Sequence, residues 1–89
     1  MNVRYSRRAL SQLASVHEYL QARNPAAAGN VTGSIRSTIA RLKEMPSLGK
    51  PTDEVDVHVI IEAEYLYRVF YSVEGQEVFV IRILHGRQG

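Results

Sequence analysis

Tyr65-Leu66-Tyr67-Arg68-Val69-Phe70-Tyr71-Ser72-Val73, then Glu74-Gly75-Gln76, then Glu77 and Val78-Phe79-Val80-Ile81-Arg82-Ile83-Leu84, is the stretch that decides the fold. Two runs rich in β-branched and aromatic residues flank a three-residue link containing glycine, the pattern of an antiparallel hairpin. Upstream, Val55, Val57, Val59 and Ile61 alternate with Asp56, His58 and Ile60, which predicts a further strand over 55–61. Short links favour antiparallel neighbours, so 55–84 reads as a meander. Its apolar face requires a cover.

The cover lies N-terminal to it. Ala9, Leu13, Val16 and Leu20 recur at helical spacing, with Leu10 and His17 alongside, and Ser6 stands as N-cap. Asn24-Pro25 restarts a helix, Asn as N-cap and Pro at the first helical position. Ala28, Val31, Ile35, Ile39 and Leu42 then form one stripe, and Met45-Pro46 stops it. The spacing predicts helices over 7–22 and 25–44. Leu13, Val16, Leu20, Val31, Ile35, Ile39 and Leu42 should pack on one sheet face. Gly29 and Gly33 weaken the second helix by about 1 kcal/mol each, a cost expected to be offset by close approach of the first helix. Asn2 to Tyr5 reads as an edge strand, and 46–54, with Gly49 and Pro51, as a loop. The expectation is one α+β domain over 1–89: an N-terminal helical hairpin packed on a C-terminal antiparallel sheet.

Composition narrows the chemistry. There is no cysteine, which excludes disulfides, thiolate metal ligands and thiol nucleophiles and fits a reducing, cytoplasmic location. No run approaches the roughly 18 apolar residues of a membrane span, and Met1 to Arg8 leads into no apolar core of a signal peptide. Neither membrane association nor a cofactor is expected. The three histidines have no metal-ligand spacing, so no metal site is expected. The net charge of +2 is unevenly spread. Arg4, Arg7, Arg8, Arg23, Arg36, Arg41 and Lys43 face a single acid, Glu18, in residues 1–43; the other eight acids lie in 44–77. This is mild polarity, not the dense basic patch of a strong nucleic-acid binder.

Four features can carry function: Tyr65 to Tyr71 with Arg68 at its centre, Arg82, His85-Gly86-Arg87, and His58. On a period of two, Arg68 shares a face with Leu66, Phe70 and Ser72, opposite Tyr67, Val69, Tyr71 and Val73. If the latter face meets the helices, Arg68 meets solvent or a partner; alternatively its stem lies on the sheet and its head pairs with Glu62 or Glu64. Arg82, in the neighbouring strand, is expected on the same face, with His85 or Arg87 near its rim. Two adjacent like charges call for an anionic answer, from a partner or from an internal acid. His85 is a candidate acid–base group near neutral pH, or part of a solvated tail. His17 is expected to pack between the helices.

Asn24-Pro25-Ala26-Ala27-Ala28, Pro46-Ser47-Leu48-Gly49, Tyr65 to Tyr71 and Val80 to Gln88, in this order, resemble the ParE/RelE superfamily of bacterial toxins, more closely its ParE side. The resemblance spans nearly the whole chain. It implies a toxin encoded beside an antitoxin whose C-terminal segment wraps and neutralises it, the pair repressing its own operon, so that nucleic acid is met only through the antitoxin. ParE-like members poison DNA gyrase; RelE-like members cut mRNA in the ribosome with a basic cluster and an acid–base group. The chain departs from the latter pattern: only His58 stands in Val55 to Ile61 where lysines are expected, and no tyrosine follows Arg87. The ParE branch usually has arginine near His58, a further departure. The expectation is a binding toxin with no catalytic residue, in which Arg68, Arg82, His85 and Arg87 meet target or antitoxin. The alternatives are an mRNA endonuclease using Arg68, His85 and Arg87, and a decayed toxin that only binds its antitoxin as co-repressor.

Overall fold

The computed structural model describes residues 1–85. Its elements are β1 (Asn2–Tyr5), α1 (Arg7–Gln21), α2 (Pro25–Glu44), β2 (Lys50–Pro51), β3 (His58–Ile61), β4 (Tyr67–Glu74) and β5 (Glu77–His85). They form the expected α+β arrangement, two helices laid on one face of a five-stranded sheet ordered β1-β5-β4-β3-β2.

Both helix starts follow from their caps. The Ser6 hydroxyl accepts the Ala9 N–H at 2.9 Å, and the Asn24 side chain accepts the Ala27 N–H at 3.3 Å with Pro25 in the first turn. Arg41 and Lys43 in the last turn of α2 complement the helix dipole. The stripe residues Ala9, Leu13, Val31, Ile35, Ile39 and Leu42 are buried against Ile60, Val69, Tyr71, Val78, Val80 and Ile83, while Val16 and Leu20 are partly buried beside them.

Several local expectations are corrected. The sheet is mixed: β1 runs parallel to β5, with Asn2 opposite Glu77 and Tyr5 opposite Val80. The chain returns to β1's neighbour only after both helices and three strands, so no hairpin constrains their direction. Lys50–Pro51, expected in a loop, pairs with β3 at the sheet edge, where proline's missing N–H does no harm. Residues 52–57 form a turn, and the strand begins only at His58. Thr52 organises that turn, its hydroxyl accepting the Glu54 N–H at 3.1 Å and donating to the Val57 carbonyl at 2.9 Å. Asp56 takes a φ of 62°, a conformation aspartate tolerates. Tyr65 and Leu66 precede β4 and do not belong to it. Gly29 and Gly33 are exposed, and a methyl group at either position would meet nothing within 4 Å, so neither serves helix approach. His17 is exposed on α1 instead of packed between helices.

Gly49 does mark a close approach. A Cβ there would lie 2.5 Å from the Tyr71 hydroxyl and 2.8 Å from the Val59 carbonyl oxygen. The buried Tyr71 donates to the Pro46 carbonyl at 2.7 Å and accepts the Gly49 N–H at 2.9 Å, tying the 46–49 loop to β4.

Denaturant titrations should resolve these roles. Ile39→Ala should cost about 2–5 kcal/mol, as for other buried large-to-small changes, whereas Gly33→Ala should raise stability by about 0.5–1 kcal/mol. Gly49→Ala should destabilise, because both backbone and ring would have to move.

Candidate functional site

The helices cover only one sheet face. The other face is set by the ladder: Ile61, Arg68 and Leu84 stand in one row, and Val59, Phe70 and Arg82 in the next. Arg68 and Arg82 thus share the outer face, as expected from the sequence, and both approach Phe70. The Arg82 guanidinium lies 4.0 Å from the Phe70 ring centre and that of Arg68 5.8 Å. This cover explains how Phe70, on the face without helices, is only 8% exposed.

Strict alternation in β5 would not give this arrangement. Val78 and Val80 face the helices, so period two would send Arg82 inward and Ile83 outward. A bulge intervenes: Phe70 pairs with Arg82 but Tyr71 pairs with Val80, leaving Ile81 as the extra residue. Ile83 returns to the core at 4% exposure. The first residues of α1 and its cap satisfy the backbone here. Ser6 Oγ donates to the Ile81 carbonyl at 2.6 Å, and Gln12 Oε1 accepts the Ile83 N–H at 2.7 Å. Ser6 was legible as a cap, but its second bond and the whole role of Gln12 carry no sequence signal.

The loop from β3 to β4 is held by Glu62, a second residue that sequence reasoning missed. Its side chain is fully buried and turned to the helix side, so it does not pair with Arg68. It accepts the Ser34 hydroxyl at 2.7 Å, the Glu64 N–H at 2.8 Å and the Tyr65 N–H at 2.8 Å. Desolvation pushes its pKa up, but these bonds and a longer one from the Tyr67 N–H outweigh it and hold the carboxyl below its ordinary value. The loop closes with Leu66 at a φ of 66° and delivers the chain into β4, which carries Arg68.

The histidines do not join the arginines. His85 is paired across the ladder with Tyr67 and meets its ring edge-on at 4.9 Å, in a groove lined by Val16, Tyr19 and Leu20 on the helix side. His58 is opposite Tyr71 and stacks on it with ring centres 5.6 Å apart. Of His85 and Arg87, one of which was expected near the rim of the arginine face, His85 stands on the helix side; Arg87 lies outside the described residues. Among the described residues no cluster of His, Asp or Glu is arranged to hold a metal ion, and no helix is long and apolar enough to cross a membrane.

The electrostatics of the outer face are uneven. Arg4 stacks on Phe79 at 4.3 Å and is answered by Glu77 at 2.8 Å. Arg82 is answered by Glu54 from the 52–57 turn. Arg68 has its Nε and Nη2 buried without a hydrogen-bond partner among the described residues.

The family model described as ParE toxin of type II toxin–antitoxin system, parDE, matches residues 3–89. The chain belongs to this ParE toxin family. A curated relative, "Putative toxin Y4kP" of Sinorhizobium fredii, is 26% identical over 86 residues, which are 97% of this chain and 88% of that protein. A chain from the chromosomal ParDE system of P. aeruginosa superposes with a TM-score of 0.86 at 18% identity, over 96% of this chain and 95% of the other. A chain from the intact E. coli RelBE complex superposes at 0.73 with 19% identity, over 94% of each. The isolated E. coli RelE toxin gives 0.74 at 18% identity, over 99% of this chain and 86% of the other. The fold of this chain is thus shared with the P. aeruginosa ParDE chain and with E. coli RelE.

The depressed Glu62 pKa sets a sign for acid stability. Its stabilising effect is complete above the ordinary carboxyl value of 4.5 and is lost as pH falls through the lower folded value. Unfolding free energy measured against pH should therefore drop below about pH 4.5. In Glu62→Gln that part of the drop should vanish, with lower stability at neutral pH because the amide's NH2 group cannot accept the bonds its oxygen accepted.

Proposed function

We propose that this ParE-family chain is a toxin that acts by binding a macromolecular target, DNA gyrase, and that a cognate antitoxin neutralises it in the cytoplasm. Family membership supplies the toxin class. The observation that favours binding over bond cleavage is the separation of charges from acid–base groups. Arg68 and Arg82 stand on the uncovered sheet face, while His58 and His85 lie on the helix side and His17 on α1. Attack by an RNA 2′-hydroxyl needs a base, an acid and a stabiliser of the phosphate within reach of one another. Binding needs only shape and charge complementarity.

The antitoxin fits the same surface logic. A disordered acidic tail that orders on binding can wrap large areas, covering exposed apolar residues such as Ile61 and Leu66 and bringing carboxylates to Arg68 or Arg82. One observation favours the second reading, ribosome-dependent mRNA cleavage: a phosphate would supply the counter-charge that Arg68 lacks among the described residues.

Induced expression, with purified chain added to a gyrase supercoiling assay, tests the proposal. Growth arrest with filamentous cells and lost supercoiling is the expected result. The Arg68→Gln/Arg82→Gln pair should abolish toxicity, each single change weakening the contact by about 1–3 kcal/mol, while His85→Gln should leave toxicity intact. Rapid mRNA cleavage on ribosomes, lost in His85→Gln by about a hundredfold or more, would replace binding with the nuclease reading. Unimpaired growth would leave an antitoxin-binding co-repressor.

A further inference from the structure

The outer sheet face repeats one device, an arginine laid over a phenylalanine and answered by a carboxylate. Arg4 on Phe79 has Glu77, and Arg82 on Phe70 has Glu54. Arg68, which also approaches the Phe70 ring, has no such answer among the described residues, and two of its nitrogens are buried. These two nitrogens have left water without gaining an acceptor, and a carboxylate docking at the rest of the guanidinium supplies the counter-charge they lack.

The two carboxylates are not equivalent. Glu77 belongs to β5 and sits in the ladder opposite Asn2 and Glu74. Glu54 belongs to the 52–57 turn, and its side chain is 55% exposed. The turn is held without that side chain: Thr52 bonds the Glu54 N–H and the Val57 carbonyl, and the Val57 N–H bonds the Glu54 carbonyl at 3.2 Å. The Glu54 carboxylate can therefore leave Arg82 while the turn stays folded.

We propose that Arg68 and Arg82 form a two-guanidinium seat around Phe70 for a carboxylate of an acidic, partly apolar peptide segment on a partner protein, and that Glu54 is the chain's own stand-in for that carboxylate, displaced when the partner docks. Three observations select a peptide over a nucleic acid. The seat already holds a carboxylate. Ile61, exposed by 55%, stands opposite Arg68 in the ladder and suits an apolar side chain. Arg68 and Lys50 are the cations of this face with no carboxylate partner among the described residues, too few for the many phosphate contacts of nucleic-acid binding. Displacing Glu54 breaks one ion pair with a half-exposed partner, a small penalty that lowers the affinity of each incoming segment by the same modest factor. The inference rests on the binding-surface reading above and adds to it a residue that regulates access.

Isothermal titration calorimetry of the 89-residue chain with an alternating Glu-Leu decapeptide tests it, with an alternating Lys-Leu decapeptide and an oligouridylate of equal length as comparisons. Glu54→Ala and Glu54→Gln should each bind the acidic peptide about two- to fivefold more tightly than the parent chain, the factor an ion pair of this exposure supports. Arg68→Gln should bind it about tenfold or more weakly. Unchanged or weaker binding in both Glu54 variants overturns the proposal. So does binding of the Lys-Leu peptide or of oligouridylate at least as tight as that of the acidic peptide. Growth arrest is read separately: tightened peptide binding without arrest upholds the seat and sinks the toxin reading, whereas arrest with unchanged Glu54-variant affinity does the reverse.

Discussion

The bulge at Ile81 is the constraint on which both faces of the sheet depend. It inserts one residue between Val80, which is buried against the helices, and Arg82, which then faces away from them. Without it the guanidinium of Arg82 would enter the apolar layer beside Val69, where a desolvated charge is costly, and Ile83 would be lost from the core. The bulge is stable because its freed backbone groups are not orphaned. β1 stops at Tyr5, opposite Val80, and the chain turns directly into α1. Ser6 and Gln12 then take the Ile81 carbonyl and the Ile83 N–H that no strand remains to pair. One short segment thus ends an edge strand, caps a helix and holds the irregular part of the strand that carries Arg82.

Two buried side chains do comparable work at the other end of the sheet. Tyr71 ties the loop after α2 to β4 through Pro46 and Gly49, and Glu62 holds the loop into β4 from within. Among the described residues Glu62 is a charge with no cation beside it, balanced by Ser34 and backbone donors. Such an arrangement specifies one loop conformation, since any other leaves the carboxylate unsatisfied. It also leaves Arg68, immediately after Tyr67, without an internal acid among the described residues.

The outcome is a molecule with a division between its faces. The helix side holds the core and its aromatic–histidine contacts, Tyr67 with His85 and Tyr71 with His58. The outer side holds three arginines, the two phenylalanines they cover and a scatter of exposed aliphatic residues. A face of this kind offers apolar area together with fixed, partly desolvated charge, the combination that makes arginine and aromatic residues anchors of protein contacts.

The helices, their caps and the hairpin were legible in the sequence by itself, because each rests on local chemistry: Ser6 and Asn24 ahead of apolar stripes at helical spacing, and Gly75 at a φ of 60° in the link between β4 and β5. So was the outward direction of Arg68, since Leu66 to Val73 alternates cleanly. What followed from long-range pairing was not legible. The parallel β1–β5 contact joins residues more than seventy positions apart, and the alternation of Val55 to Ile61 gave way to turn chemistry at Thr52 and Asp56. The hairpin put Arg82 beside Arg68 in expectation, but strict alternation from the buried Val78 and Val80 would place it with the core residues; the bulge that reconciles the two, held by Ser6 and Gln12 meeting the strand, was decided only in the tertiary structure. The tertiary structure likewise sent His85 to the opposite side and Glu62 inward. A side chain's face is set by counting along a strand, and one extra residue reverses the count wherever distant groups satisfy the backbone it frees.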